Sequence, residues 1–140
     1  MFRTLPNSLV LFPSDAVSSE RAVEIAANYN GMVYIKGGRN SHPVIYENNE
    51  PFQYGKCKVI RHSNSDQVTV ISAGPPLHEL VKTHDILAKE GLNIRLIDIF
   101  SVKPIDRDGL VKNIRETNGL AFVAEDHYRE GGIGGMIKFY

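Results

Sequence analysis

Five histidines, one cysteine, an arginine behind two glycines and an acidic pair beside a histidine are the residues of this 140-residue chain whose types could do chemistry. Metal binding is the first chemistry to weigh. His42, His62, His78, His84 and His127 form no ligand motif; His78 and His84 are six apart and fall on different faces of a helix. His84 lies on an apolar stripe and reads as a packed, hydrogen-bonded residue. Cys57 is the only cysteine, which excludes an internal disulfide and a thiolate cluster, and no base stands near it in sequence. Glu125, Asp126 and His127 follow an expected strand, at the end where α/β sites lie. Without a fourth group the trio reads as a local hydrogen-bond cluster.

Nucleotide binding is the second. The turn Ala73–Gly74–Pro75–Pro76–Leu77 follows an expected strand, and Asp98 comes near the distance at which an acid contacts a ribose. The pattern has one glycine, however, and two prolines where backbone N–H groups would have to face a pyrophosphate. The turn and Asp98 therefore read as structural, Asp98 as a strand-end residue meeting a helix terminus or solvent. Gly131–Gly132–Ile133–Gly134–Gly135 lacks the Lys-Ser/Thr of a phosphate-binding loop and reads as a turn leading to a helix. No serine stands in a nucleophile elbow. Arg39 remains, just after the strand Met32–Lys36 and behind Gly37–Gly38. A guanidinium fork at a strand's C-terminal end suits a phosphate or a carboxylate, although spacing alone favours an ordinary surface arginine.

The elements that must position these residues are legible in outline. Asp66 to Pro104 reads as a strand, a turn, an amphipathic helix, a glycine stop and a second strand, the order of a parallel βαβ unit. Its strands are Gln67–Ser72 and Asn93–Ile99, and its helix places Leu77, Leu80, Val81, His84, Leu87 and Ala88 on one face until Gly91. A third round has Asp106 as N-cap, Leu110, Val111 and Ile114 inward, Gly119 as stop and Leu120–Ala124 as strand. Upstream, Leu9–Phe12 reads as a short strand and Asp15 as the N-cap of a helix with Ala16, Val23, Ala26 and Ala27 at helical spacing. Asn30–Gly31 stops that helix, and Met32–Lys36 is the next strand. Ser41–Gly55 reads as a crossover with one short strand at Val44–Tyr46, and Lys56–Arg61 as a half-buried edge strand. The expected class is α/β, built of incomplete three-layer parallel-sheet units.

Composition narrows the partners. A formal net charge of zero gives no electrostatic reason to expect nucleic acid or an anionic membrane. Apolar runs are too short to span a bilayer, and the N-terminal stretch, broken by Pro6 and Pro13, lacks the pattern of a signal peptide. A reducing, cytoplasmic setting is the expectation.

Several stretches, in the same order and at similar spacing, resemble the animal-type transketolases. They are MFRTLPNSLVLFPSDAVSSERAVEIAANYNGMVYIKGGR, YENNEPFQYGKCKVI, the DQVTVISAG…LHE turn, FSVKPID and VAEDHYREGGIG. A synthase making deoxyxylulose phosphate and the β-subunits of 2-oxo acid dehydrogenases share the architecture; SVKPID and EDHYREGGIG favour transketolase. The resemblance implies thiamine diphosphate and a divalent cation, commonly magnesium. It also implies transfer of a two-carbon ketol unit between sugar phosphates in the cytoplasmic pentose phosphate pathway. The family is homodimeric, with the cofactor held between the diphosphate-binding domain of one subunit and the pyrimidine-binding domain of the other.

On that map residues 1–40 correspond to the end of the pyrimidine-binding domain, 41–65 to a linker with an edge strand, and 66–140 to a truncated C-terminal α/β domain. Arg39 matches the family arginine that grips the substrate phosphate, which overrides the plain surface reading. No catalytic, cofactor-binding or metal residue carries over, because the family's positions for these fall upstream of Met1. Gly37–Gly38 replaces a more usual polar pair, Pro75–Pro76 a less rigid turn, and Gly135 leads into Met136 where the family continues Glu-Ala. The expectation is a transketolase-derived chain that binds no cofactor and is inactive alone. The alternative is a non-catalytic interaction module that pairs with a full-length transketolase subunit.

Overall fold

Residues 1–138 are described by the computed structural model; Phe139 and Tyr140, the end of the expected 66–140 unit, lie outside the described residues. After a 3-10 turn at Phe2–Thr4, strand β1 (Ser8–Leu11) leads into helix α1 (Ala16–Asn28) and strand β2 (Met32–Ile35). A long crossover then reaches β3 (Lys58–Arg61), β4 (Val68–Ser72), α2 (Pro76–Lys89) and β5 (Ile94–Asp98). The chain continues through β6 (Ser101–Lys103), α3 (Arg107–Glu116), β7 (Ala121–Val123) and the single-turn helix α4 (Ile133–Ile137).

The strands form two sheets, in the orders β2-β1-β6 and β3-β5-β4-β7. The expected parallel rounds are present: β1 with β2, and β4 with both β5 and β7. The edge strand expected at Lys56–Arg61 pairs antiparallel with β5. β6 was not read from the sequence. It has three residues, too few to show a period, and it leaves the C-terminal stretch to pair antiparallel with β1.

Two further expectations are corrected. Val44–Tyr46 is not a strand, because its backbone donors are drawn to a side chain: Asp15 Oδ2 accepts from Ile45 N at 2.8 Å and Tyr46 N at 3.1 Å. The packed face of α1 is Val17, Ser18 and Ala22 with Ile25 alongside, while Ala16, Val23 and Ala27 are exposed. Small and polar residues line that face, so apolar spacing pointed to the wrong side. The α2 stripe holds for Leu77, Leu80, Val81 and Leu87, with Ala88 exposed.

Both sheets share one apolar cluster. Val10 and Phe12 from the β1 region pack with Ile71, Ile97, Ile99 and Val102, and α3 and α4 add Leu110 and Ile133. Alternation along β4 divides the helices: Val70 faces the α2 side and Ile71 the α3–α4 side. A helix on each face makes the second sheet a doubly covered α/β layer. β4 leads to α2 on one face and its neighbour β7 to α4 on the other, so the chain reverses direction at the carboxyl ends of β4 and β7. That is where ligand crevices form in open α/β sheets.

The Phe12 ring is the close contact at that end. Gly74 sits at φ +67° beneath it, and a Cβ there would lie 2.2 Å from Phe12 Cζ. Gly74→Ala should therefore combine left-handed strain with a clash and destabilise the chain by about 2 kcal/mol or more in urea titration. Unchanged stability would contradict this packing.

Candidate functional site

The turn after β1 anchors the site. Ser14 is buried, and its groups reach four segments. Its Oγ donates to Asp98 Oδ2 at 2.9 Å and accepts from Gly74 N at 3.0 Å. Its carbonyl lies 2.6 Å from His78 Nε2, and its N–H donates to Ser18 Oγ at 3.0 Å. Asp15 caps α1 as the sequence suggested, accepting from Ser18 N at 2.8 Å through Oδ1, while its other oxygen holds the crossover at Ile45 and Tyr46. Burial alone would raise the Asp15 pKa, but the hydrogen bonds from Ser18, Ile45 and Tyr46 outweigh it and hold the carboxyl below its usual range.

Asp98, at the end of β5, is fully buried. Its Oδ2 accepts from Ser14 and from Tyr46 Oη at 2.7 Å, and its Oδ1 finds no partner within the described residues. Burial pushes its pKa up to about 7, the nearby Asp15 adds to the rise, and the Tyr46 and Ser14 hydrogen bonds oppose it. Burial and then the Asp98 charge raise the Tyr46 pKa as well, so Tyr46 stays a phenol and a donor. Asp98 meets a turn and a crossover, not the solvent or helix terminus expected of it.

Arg39 follows β2 on an exposed loop. The loop leaves the sheet after Lys36, whose N–H donates to Leu11 O at 2.9 Å. Lys36 Nζ lies 3.1 Å from Asp126 Oδ1 and 4.1 Å from the centre of the Phe12 ring. Beside the loop is a cleft of about 310 Å³ walled by Ser14, Asp15, Gly37, Gly38, Asn40 and His42 among others. The Arg39 side chain is not part of that wall, but residues on both sides of it are.

The histidines are separated, with one exception that spacing could not reveal. His42 stacks on His78, ring centroids 4.6 Å apart and planes 11° apart. His62 is exposed, and His84 is half-buried with Nδ1 3.0 Å from Asp85 Oδ1. His127 Nδ1 lies 2.9 Å from Tyr128 O. The acidic pair beside it diverges: Asp126 pairs with Lys36, while Glu125 accepts from Ile133 N at 2.5 Å and Gly134 N at 3.0 Å. The glycine-rich segment thus gives its amides to Glu125, and a Cβ on Gly132 would lie 2.4 Å from that carboxylate. Cys57 is pushed up to about pKa 12 by burial and by Asp106, whose Oδ2 lies 3.5 Å from Sγ, which leaves it an unreactive thiol.

Among the described residues no three His, Cys, Asp or Glu converge where a metal ion could be held. What the arrangement offers is an exposed guanidinium, Arg39, on the loop whose Gly37, Gly38, Asn40 and His42 help to wall the cleft.

Because Asp98 has a folded pKa above its unfolded value, the folded chain binds the extra proton between about pH 4 and 7. Relative to Asp98→Asn, wild-type stability should be greatest below about pH 4, fall as pH rises towards 7 and then level, by a few kcal/mol overall. Urea titrations from pH 4 to 8 would show it, and a pH-independent difference would refute it. Tyr46→Phe removes one of two donors to this carboxyl and should cost about 1–3 kcal/mol in the same titration.

Comparison with known proteins gives the site its context. The family model for the transketolase C-terminal domain matches residues 55–138. Human transketolase is 49% identical over 138 residues, covering 99% of this chain and 22% of that protein. Bovine transketolase-like protein 1 is 47% identical, covering 99% of this chain and 23% of that protein. Among solved structures, one described as a split-gene transketolase, inactive β4 tetramer, superposes with a TM-score of 0.91 at 34% identity. It covers 99% of this chain and 45% of that one. A Pichia stipitis transketolase at 13% identity and a TM-score of 0.66, covering 93% of this chain and 20% of that one, shares the fold. The chain spans about a fifth of the length of the human and bovine relatives it matches. By its sequence and its fold, this chain belongs to the transketolase family.

Proposed function

We propose that the chain supplies the substrate-phosphate grip of a transketolase and performs no ketol transfer by itself. The observation that carries this reading is the placement of Arg39. It is exposed on the loop after β2, beside the cleft walled by Ser14, Asp15 and His42, in a chain 49% identical to human transketolase. A guanidinium fork binds a phosphate monoester through charge-assisted, bidentate hydrogen bonds, and Arg39 spends none of its donors on a carboxylate of the described residues. Ketol transfer also demands an acid or base poised on the reacting carbon centre. The acid and base groups that wall the cleft are otherwise engaged: the oxygens of Asp15 accept from Ser18, Ile45 and Tyr46, and His42 is stacked on His78. Thiamine diphosphate and magnesium belong to other parts of a transketolase assembly, homodimeric in the family and serving the cytoplasmic pentose phosphate pathway.

Two measurements test the reading. The purified chain should show no ketol transfer between sugar phosphates and no affinity for thiamine diphosphate; turnover by the chain alone would overturn it. In human transketolase carrying this chain in place of its matching 138 residues, Arg39→Ala should raise KM for fructose 6-phosphate about 10- to 100-fold with kcat little changed. Reaction with unphosphorylated fructose should be untouched, and equal loss on both sugars would remove phosphate from the role.

A second reading, a non-catalytic module that pairs with a transketolase subunit, draws support from the sheet edges. β7 pairs with β4 alone and carries Phe122 at 62% exposure, with Leu120 beside it at 57%. An apolar edge strand invites a partner. The split-gene transketolase, an inactive β4 tetramer, contains this fold within 45% of its chain. Sedimentation of the chain with human transketolase should then give a complex that Phe122→Lys weakens, whereas two independent species would exclude it.

A further inference from the structure

The loop that carries Arg39 has few ties to the body of the protein. Hydrogen bonds hold it at Lys36, through Leu11 O, and pick it up again at Ile45 and Tyr46, through Asp15. A Cβ on Gly37 would meet nothing within 4 Å, and one on Gly38 would lie 3.2 Å from Cγ of the Pro75 ring, so there is open space on the side-chain side of Gly37. Between the two hydrogen-bonded ends, the ring contact of the loop is His42 on His78.

His78 is a firm post for that contact. It is 8% exposed, stands in the first turn of α2, and its Nε2 is bonded to the Ser14 carbonyl at 2.6 Å. Ser14 in turn bonds Gly74 and Asp98. The post is thus tied to α1, to the turn after β4 and to β5. His42 lays its ring flat on this post, three positions beyond Arg39, and at the same time walls the cleft. His42 Nε2 is buried and has no hydrogen-bond partner among the described residues. Its ring is therefore held by stacking, not by a polar bond.

We infer that His42 is a positioning residue for phosphate recognition: its stack on His78 holds the loop in the conformation that presents Arg39 to a sugar phosphate. The inference rests on the proposed role of Arg39. A long side chain on a free loop loses rotamer and backbone freedom when it grips an anion, and that loss lowers affinity. Fixing the loop next to the arginine removes part of the loss before the ligand arrives. The role needs an aromatic face at position 42 and does not need its ring nitrogens.

The test is a titration of the 140-residue chain with fructose 6-phosphate, followed at the Arg39 Nε–H resonance, with unphosphorylated fructose as control and thermal unfolding in parallel. His42→Ala should weaken fructose 6-phosphate about 10-fold while its Tm stays within a few degrees of wild type. His42→Phe, which keeps the stack and lacks the nitrogens, should bind like wild type, and Arg39→Ala should not bind. Wild-type affinity in His42→Ala, with Arg39→Ala still dead, overturns the positioning role and leaves the arginine's role standing. Affinity in His42→Phe as poor as in His42→Ala also overturns it, because the ring nitrogen would then be the active part. Binding by Arg39→Ala equal to wild type removes the phosphate reading itself. If His42→Ala fails to fold, His42→Phe decides: wild-type affinity supports the stack, and loss refutes it.

Discussion

A buried carboxyl must be given partners or be neutralised, and the architecture turns on how two of them are treated. Asp15 is surrounded by donors and stays charged; Asp98 receives two hydroxyls, lacks a partner for its second oxygen among the described residues and is driven towards its neutral form. Ser14 stands next to one in sequence and against the other in space. The donors recruited by these two carboxyls and by Ser14 come from separate segments: the first turn of α1, the crossover at Ile45 and Tyr46, and the turn after β4. These polar bonds join the two sheets alongside the pairing of β6 with β1. The apolar cluster of Val10, Phe12, Ile71 and Ile97 fills the space so defined.

The functional geometry follows from the same knot. Arg39 leaves the first sheet at Lys36 and the chain is recaptured at Ile45, so both ends of its loop are fixed by the β1 region, at Leu11 and at Asp15. Lys36 also reaches Asp126 in the loop after β7, and Arg3 donates to Gly132 O at 2.8 Å. The carboxyl ends of β2, β4 and β7 are thereby held together, with the turn of Gly74 packed under Phe12 between them.

Much of the fold was legible because its parallel rounds obey simple periods. The α2 stripe, the Asp15 and Asp106 caps and the glycine stop at Gly91 all express local rules, and local rules are visible in a sequence. The failures share a different cause. β6 is defined by a partner far away, Val44–Tyr46 is captured by a side chain thirty residues upstream, and α1 packs through Ser18 and Ala22, which carry little hydrophobic signal. Candidate chemistry divides in the same way. The exclusions at the Pro75–Pro76 turn, at Cys57 and in the glycine-rich segment could be argued from residue types. Arg39 gained weight only from resemblance to a family, and the meeting of His42 with His78 had no sequence signal at all.

The pairing of β1 with β6 joins Val10 to Lys103. On a ribosome the consequence is one of timing. The stretch Leu9–Phe12 is the most apolar run of the first sheet, and the strand that covers its open side is translated roughly ninety residues later. At about 5–20 residues per second that edge is uncovered for about 5 to 20 seconds. Of the two strands it pairs with in the fold, β2, its parallel neighbour across α1, is the one made in that interval. Strands β1 and β2 and the helix between them are thus complete before β6 arrives to close the far edge of β1.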